Sequence, residues 1–240
     1  MNWFSYLVAG VMVYVAVGVF VIGMAYQISQ WLSAPKTRIK TGYFPKPHTS
    51  GARWLKVAED SFIFPEVIKF DRWMWIFTIL FHFGLLGAFV GHLRLFQEFT
   101  PLVDLLGSKG MDRFASWSGG FMGIMLIVGL LYYFLRRLNF PFREVSVPED
   151  YILLVLLILT VVMGNLMRFA GGDIHVGEYR AYLESLVMFR PAFPEALAAS
   201  LTKWALVFHV LFANLVFIFF PFSKLVHVIA TFPANLARRR

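Results

Sequence analysis

Four of the six histidines lie inside apolar stretches: His82 and His92 in FHFGLLGAFVGH, His209 and His227 in FHVLFANLVFIFFPFSKLVH. An imidazole among apolar neighbours costs free energy unless it finds a hydrogen bond, a second polar group or a metal. Neutral imidazole ligates metals, and its titration near neutrality also suits it to carrying protons. The spacing narrows the geometry. His82 and His92 are ten residues apart, about 15 Å along a helix, while His209 and His227 are eighteen apart, about 27 Å or five turns. Each pair therefore stacks one histidine above another. The other two, His48 and His175, fall in polar connections and read as solvated loop residues.

Histidines so placed need long apolar helices to hold them. A bilayer core about 30 Å thick takes about 20 helical residues at about 1.5 Å each. Five stretches of the 240-residue chain reach that length: Phe4 to Tyr26, Trp73 to Leu93, Trp117 to Leu135, Tyr151 to Phe169, and Leu201 to Phe222, the last continuing as helix toward Ala230. The composition agrees, with 59% hydrophobic and 15% charged residues against soluble norms of roughly 45–50% and 25%. An ordinary water-soluble globule does not fit, and the expected fold class is an all-α integral membrane protein with five transmembrane helices. Cysteine is absent, so the chain alone can form no disulfide, zinc–thiolate site or iron–sulfur cluster. The first basic residue is Lys36, which predicts a retained first span rather than a cleaved signal. No internal repeat or second domain is visible, and residues 1–240 read as one membrane domain.

Basic residues orient the spans. With the N-terminus outside, the inner segments carry eight of the 22 lysines and arginines before the second span, three between the third and fourth, and four after the fifth. The outer side holds the remaining seven, so the positive-inside rule favours an outer N-terminus and a cytoplasmic C-terminus. The 14 acidic residues divide equally, which leaves the whole formal charge of +8 on the inner surface. Anionic lipid headgroups account for cations there, and nucleic-acid binding is not required to explain them. The long inner connection from Gln27 to Arg72 mixes turn formers, cations and a partly apolar stretch, SFIFPEVIKF, suited to the interface.

In this topology the second span climbs outward and the fifth descends, which reverses the order of their histidines. One uncrossed pairing results: His92 with His209 in the outer half, and His82 with His227 near the inner surface. Two imidazoles from two helices suit a low-spin haem b, and two stacked haems between the second and fifth helices would make a wire across the membrane. Ten residues rotate His92 by about 80° from His82, and the two separations differ, so tilt and a kink at Pro221 must absorb the mismatch. Gly84, Gly87 and Gly91 either clear room for a flat macrocycle or allow close helix packing. Arg94 and Lys224 either meet haem propionates or snorkel to the interface.

The motifs FHFGLLGAFVGH and FPFSKLVH, with their two spacings, resemble those of the respiratory nitrate reductase gamma-subunit family of five-span dihaem cytochromes b. The resemblance implies two haem b groups with His82, His92, His209 and His227 as the axial ligands. The longer first inner connection, with KTRIKTGYFPKP, and the basic segment after the second span resemble the DsrM branch, the membrane cytochrome of the sulfite reductase-associated electron transfer complex. That branch implies a cytoplasmic iron–sulfur partner similar to a heterodisulfide reductase catalytic subunit, with further membrane-complex subunits. The nitrate reductase branch, the alternative, implies an iron–sulfur and molybdenum enzyme.

The function expected is electron exchange between menaquinol or menaquinone at the outer haem and the cytoplasmic partner, in the cell membrane. Lys109 and Arg113, in the outer connection, best match where the family places a basic quinol-site residue. The connection 27–72 is the expected partner-docking surface. Two readings of other classes stay open: a haem-free carrier whose four histidines relay protons or ions, and a passive anchor for soluble subunits.

Overall fold

The computed structural model describes residues 2–34, 47–170, 176–200 and 202–239, and every regular element among them is helical. Five helices are long and apolar enough to cross a bilayer: α1 (Trp3–Ser33), α4 (Arg72–Leu93), α5 (Thr100–Leu138), α6 (Pro148–Ala170) and the run Lys203–Phe222, whose α-helical part is α9 (Lys203–Phe219). Between them lie α2 (Ser50–Phe62), α3 (Pro65–Phe70), α7 (Val176–Val187) and α8 (Glu195–Ala199), and α10 (His227–Arg238) closes the described chain.

The ends of these helices follow local chemistry. Asp71 caps α4 by accepting the Met74 N–H at 2.9 Å, and Thr49 caps α2 by accepting from Ala52 at 3.1 Å. Large apolar side chains cover the outside of the bundle, among them Ile22, Leu86, Phe89 and Phe121, each more than half exposed. A surface so apolar is stable in lipid and a liability in water, and the protein is a multi-pass membrane protein.

The long helices pack in the order α4, α5, α6, α9 and α1, each chiefly against its neighbour in that series. α4, which carries His82 and His92, and α9, which carries His209, are thus joined mainly through α5 and α6, while His227 opens α10. In α1 the segment Leu7–Val11 widens to a π-helical turn. Asn214 of α9 donates to the Val8 carbonyl there at 3.0 Å, and the Tyr182 hydroxyl of α7 donates to that of Ala9 at 2.6 Å.

Two elements differ from the sequence expectation. The fifth span does not continue as helix toward Ala230. Pro221 has no N–H to donate, and the chain passes through short 3₁₀ turns at Phe220–Phe222 and Lys224–Val226, with Ser223 extended (φ −118°, ψ 175°) between them. Ser223 Oγ accepts the Leu225 N–H at 3.2 Å, and a separate helix starts at His227. Eighteen residues therefore do not make five unbroken turns. The break falls at Pro221, where a kink was expected together with tilt, and goes further by ending the helix. The segment after the second span is also helical: α5 starts at Thr100 and bends at Gly107 (φ 70°, ψ 164°), a left-handed conformation that glycine adopts without a Cβ clash.

Candidate functional site

Each of the four histidines is fixed by the same bond. His82 Nδ1 lies 2.8 Å from the Thr78 carbonyl and His92 Nδ1 2.7 Å from that of Ala88, each four residues back on α4. His227 Nδ1 lies 2.8 Å from the Lys224 carbonyl. His209 reaches across to α6, its Nδ1 2.8 Å from the Thr160 carbonyl. A carbonyl can only accept, so Nδ1 carries a proton in all four, and in the neutral ring the lone pair is then on Nε2. That is the tautomer a metal-ligating histidine holds, with the opposite nitrogen anchored by the backbone.

The rings meet in two pairs. His92 and His209 have ring centres 6.3 Å apart with planes 10° from parallel. His82 and His227 have centres 6.2 Å apart with planes at 76°. We call these the upper and lower levels. A single metal ion between two imidazoles requires two metal–nitrogen bonds of about 2 Å and about 1 Å from each nitrogen to its ring centre, which totals about 6 Å. Both separations match that sum, so each pair of imidazoles would suit one metal ion, and the iron of a haem is one that such a donor pair could hold. Among the described residues no group of three or more His, Asp or Glu side chains gathers around a point; what the protein offers at each level is a pair of imidazoles.

The glycines of α4 divide. A Cβ on Gly84 would lie 3.0 Å from the Met122 carbonyl, and one on Gly87 would meet the Met122 side chain at 2.6 Å, so both serve close packing on α5. Gly91 faces open space. Arg94 is committed to two carboxylates, its Nε 2.5 Å from Glu98 and its Nη2 2.6 Å from Asp112. Arg180 of α7 donates to the Arg94 carbonyl at 2.7 Å and to Glu98 at 2.7 Å. Bonding to Arg94, and then to Arg180, holds the Glu98 carboxyl below its ordinary range. Lys224 donates to both oxygens of Asp150, at 2.7 and 2.8 Å. Lys109 and Arg113 are exposed on the first part of α5 and form no ion pair with a described residue. His48 is exposed, and His175 lies outside the described residues.

Several residues around the histidines were not singled out from the sequence. Gly164 of α6 faces His209: a Cβ there would lie 3.2 Å from the ring Cε1, close enough to displace it from the Thr160 carbonyl. Thr78 holds His82 through its carbonyl, while its hydroxyl accepts from Tyr133 at 2.8 Å and donates to the Met74 carbonyl at 2.6 Å. Phe64, left-handed at φ 55°, lays its ring 5.1 Å from His82. Asp150, 4% exposed, binds Lys224 and, at 2.8 Å, Arg137. A carboxylate at the start of an apolar stretch was the one visible signal among these.

Comparison with known proteins bears on the family of the chain as a whole. The family profile described as "Nitrate reductase gamma subunit" matches residues 68–240. The Hdr-like menaquinol oxidoreductase cytochrome b-like subunit of Archaeoglobus fulgidus is 30% identical over 261 aligned positions, covering 92% of this chain and 76% of that protein. Its counterpart in Archaeoglobus profundus is 27% identical, covering 89% and 73%. The nitrate reductase gamma chain of Bacillus subtilis is 31% identical over 158 positions, covering 63% and 70%.

Proposed function

This chain belongs to the nitrate reductase gamma-subunit family, and from that premise we propose that it is a dihaem cytochrome b exchanging electrons between menaquinol and a cytoplasmic iron–sulfur partner. Its class, a membrane cytochrome b electron-transfer subunit, follows from the family and its relatives. The two bis-histidine levels carry the finer reading. Each sets two imidazoles, anchored through Nδ1, at a ring-centre separation of the size one metal ion between them needs. Haem b would supply a one-electron iron couple at each level, so that charge can cross the bilayer between them.

The chain's own residues set the conditions. His92 and His209 hold the upper level, His82 and His227 the lower. Carbonyls of Thr78, Ala88, Thr160 and Lys224 fix the rings and make the ligating nitrogens more basic. With the N-terminus outside, the upper level lies toward the outer surface of the cytoplasmic membrane, and protons from quinol oxidation leave on that side. Lys109 and Arg113 stay the candidates for the quinol site, as exposed cations free to meet a quinol oxygen. Electrons moving inward work against a negative interior at about 2.3 kcal/mol per charge per 100 mV, which the acceptor must supply.

The archaeal relatives align with 92% and 89% of the chain, the nitrate reductase chain of Bacillus with 63%. That difference supports an iron–sulfur partner similar to a heterodisulfide reductase catalytic subunit, and the resemblance to the DsrM branch is what adds a sulfite reductase-associated complex to the proposal. The connection 27–72 would dock it, and Phe64 of that connection lies against His82 of the lower pair. Purification with partners intact, followed by a reduced-minus-oxidised spectrum and a menaquinol-analogue reduction assay, tests the proposal. Two b-type centres reducible by quinol are expected; absence of b-type bands would sink it and leave the histidine relay.

A further inference from the structure

The upper level lacks an obvious counter-ion for the carboxylates that a haem carries. Arg94, beside His92, is spent on Glu98 and Asp112, and Arg180 on Glu98 and the Arg94 carbonyl. Lys203 sits over the Trp204 ring at 5.7 Å. Arg168 differs from all of these. Its one hydrogen bond runs from Nη1 to the Ala115 carbonyl at 2.9 Å, and the residue is exposed, so its other N–H donors remain open. A guanidinium has five donors, and one neutral acceptor leaves the charge unbalanced.

Its position is specific. Gly164, one turn earlier on the same face of α6, touches the His209 ring, which puts Arg168 about 6 Å beyond the level of that ligand. The guanidinium lies across Gly119 of α5, where a Cβ would fall 2.7 Å from its Cζ. Gly119 is three residues before Met122, which meets α4, and four before Gly123, which meets Asn165 of α6. Arg168 thus lies over the part of α5 that faces between α4 and α6, at the end where His92 and His209 meet. Its electrostatic neighbours there are the Tyr179 phenol of α7 and another cation, Arg94, and neither is a carboxylate.

We propose that Arg168 forms the ion pair with a propionate carboxylate of the haem held between His92 and His209. This rests on the dihaem reading. A guanidinium matches a carboxylate in charge and in its two-pronged geometry, and a cation beside a haem favours the reduced form, which carries one more negative charge.

The test is optical potentiometry on the membrane-embedded, haem-loaded protein, with the upper centre identified as the one lost in His209→Ala. Arg168→Gln should make reduction of the upper centre about tenfold less favourable at fixed potential, about 59 mV for one electron, with the lower centre unchanged. Arg168→Lys should recover most of the shift. Gly119→Ala keeps the charge but displaces the guanidinium, and should give a smaller shift of the same sign. It serves as the decisive variant should Arg168→Gln not fold. An unchanged upper potential in Arg168→Gln, or in Gly119→Ala where the first does not fold, overturns the proposal. A raised KM for quinol at unchanged potential also overturns it and assigns Arg168 to the quinol. Wild-type protein without b-type centres would instead overturn the dihaem reading itself.

Discussion

At the scale of single residues, the proposed chemistry rests on which nitrogen of each imidazole is occupied. The backbone takes Nδ1 in all four cases, and each facing pair is separated by the span of one metal ion. Replacing one histidine should then remove one centre. His92→Ala or His209→Ala is expected to halve the b-type absorbance and spare the lower centre, while His82→Ala or His227→Ala spares the upper; loss of both from any one variant would contradict independent levels. The ring planes allow a finer check. Parallel axial imidazoles split the iron orbitals more than perpendicular ones do. With planes at 10° above and 76° below, two distinct low-spin ferric signals are expected in electron paramagnetic resonance, the lower centre having the larger maximum g value. Gly164→Val should disturb only the upper signal, because its side chain would press on His209.

At the scale of elements, the break in the fifth span is the part that positions the lower level, and it is held from two sides. Gln27 of α1 donates to the Pro221 carbonyl at 2.8 Å, and Gly23 leaves room for the proline ring, where a Cβ would lie 2.6 Å from Pro221 Cβ. Asp150 of α6 anchors Lys224, whose carbonyl holds His227. Gly23→Ala overpacks this contact, at a cost of about 1–3 kcal/mol, and should lower the thermal stability and shift the lower centre's spectrum more than the upper's. The Arg94, Glu98, Asp112 and Arg180 network ties the end of α4 to α5 and α7. Because the folded Glu98 carboxyl is held below its ordinary range, its contribution is present above that range and is lost as pH falls through the depressed value. Thermal denaturation against pH should therefore show Glu98→Gln closing its stability gap with the parent protein under acid conditions. A gap that stays constant down to acid pH would show that the carboxyl is not coupled to folding.

At the scale of the whole molecule, the helices pack in series, α4 on α5 on α6 on α9, and this arrangement brings α4 opposite α9 at the upper histidine level and opposite the start of α10 at the lower. Orientation in the bilayer can be tested directly, since the sequence has no cysteine. Lys109→Cys should react with a membrane-impermeant maleimide added outside intact cells, and Arg143→Cys only after permeabilisation. The reverse pattern would invert the topology and place the quinol reaction on the inner face.

Much of the architecture and part of the site were legible in the residues. Hydropathy over about 20 residues is a local property, so the existence of the five long helices and their approximate centres could be read from the chain. The types and spacings of the histidines were equally visible. Their surroundings were not. The carbonyl that holds His209 is 49 residues away, the carboxylate that takes Lys224 is 74, and the one that takes Arg94 beyond its own turn is 18. Arg94 looked available because its nearest histidine is two residues off, whereas Arg168 gained its place beside the upper level only through the packing of α6 on α5. Spacing along one helix determines which side chains share a face; which acceptors, charges and clearances they meet depends on how separate helices pack, and that was decided by the tertiary structure.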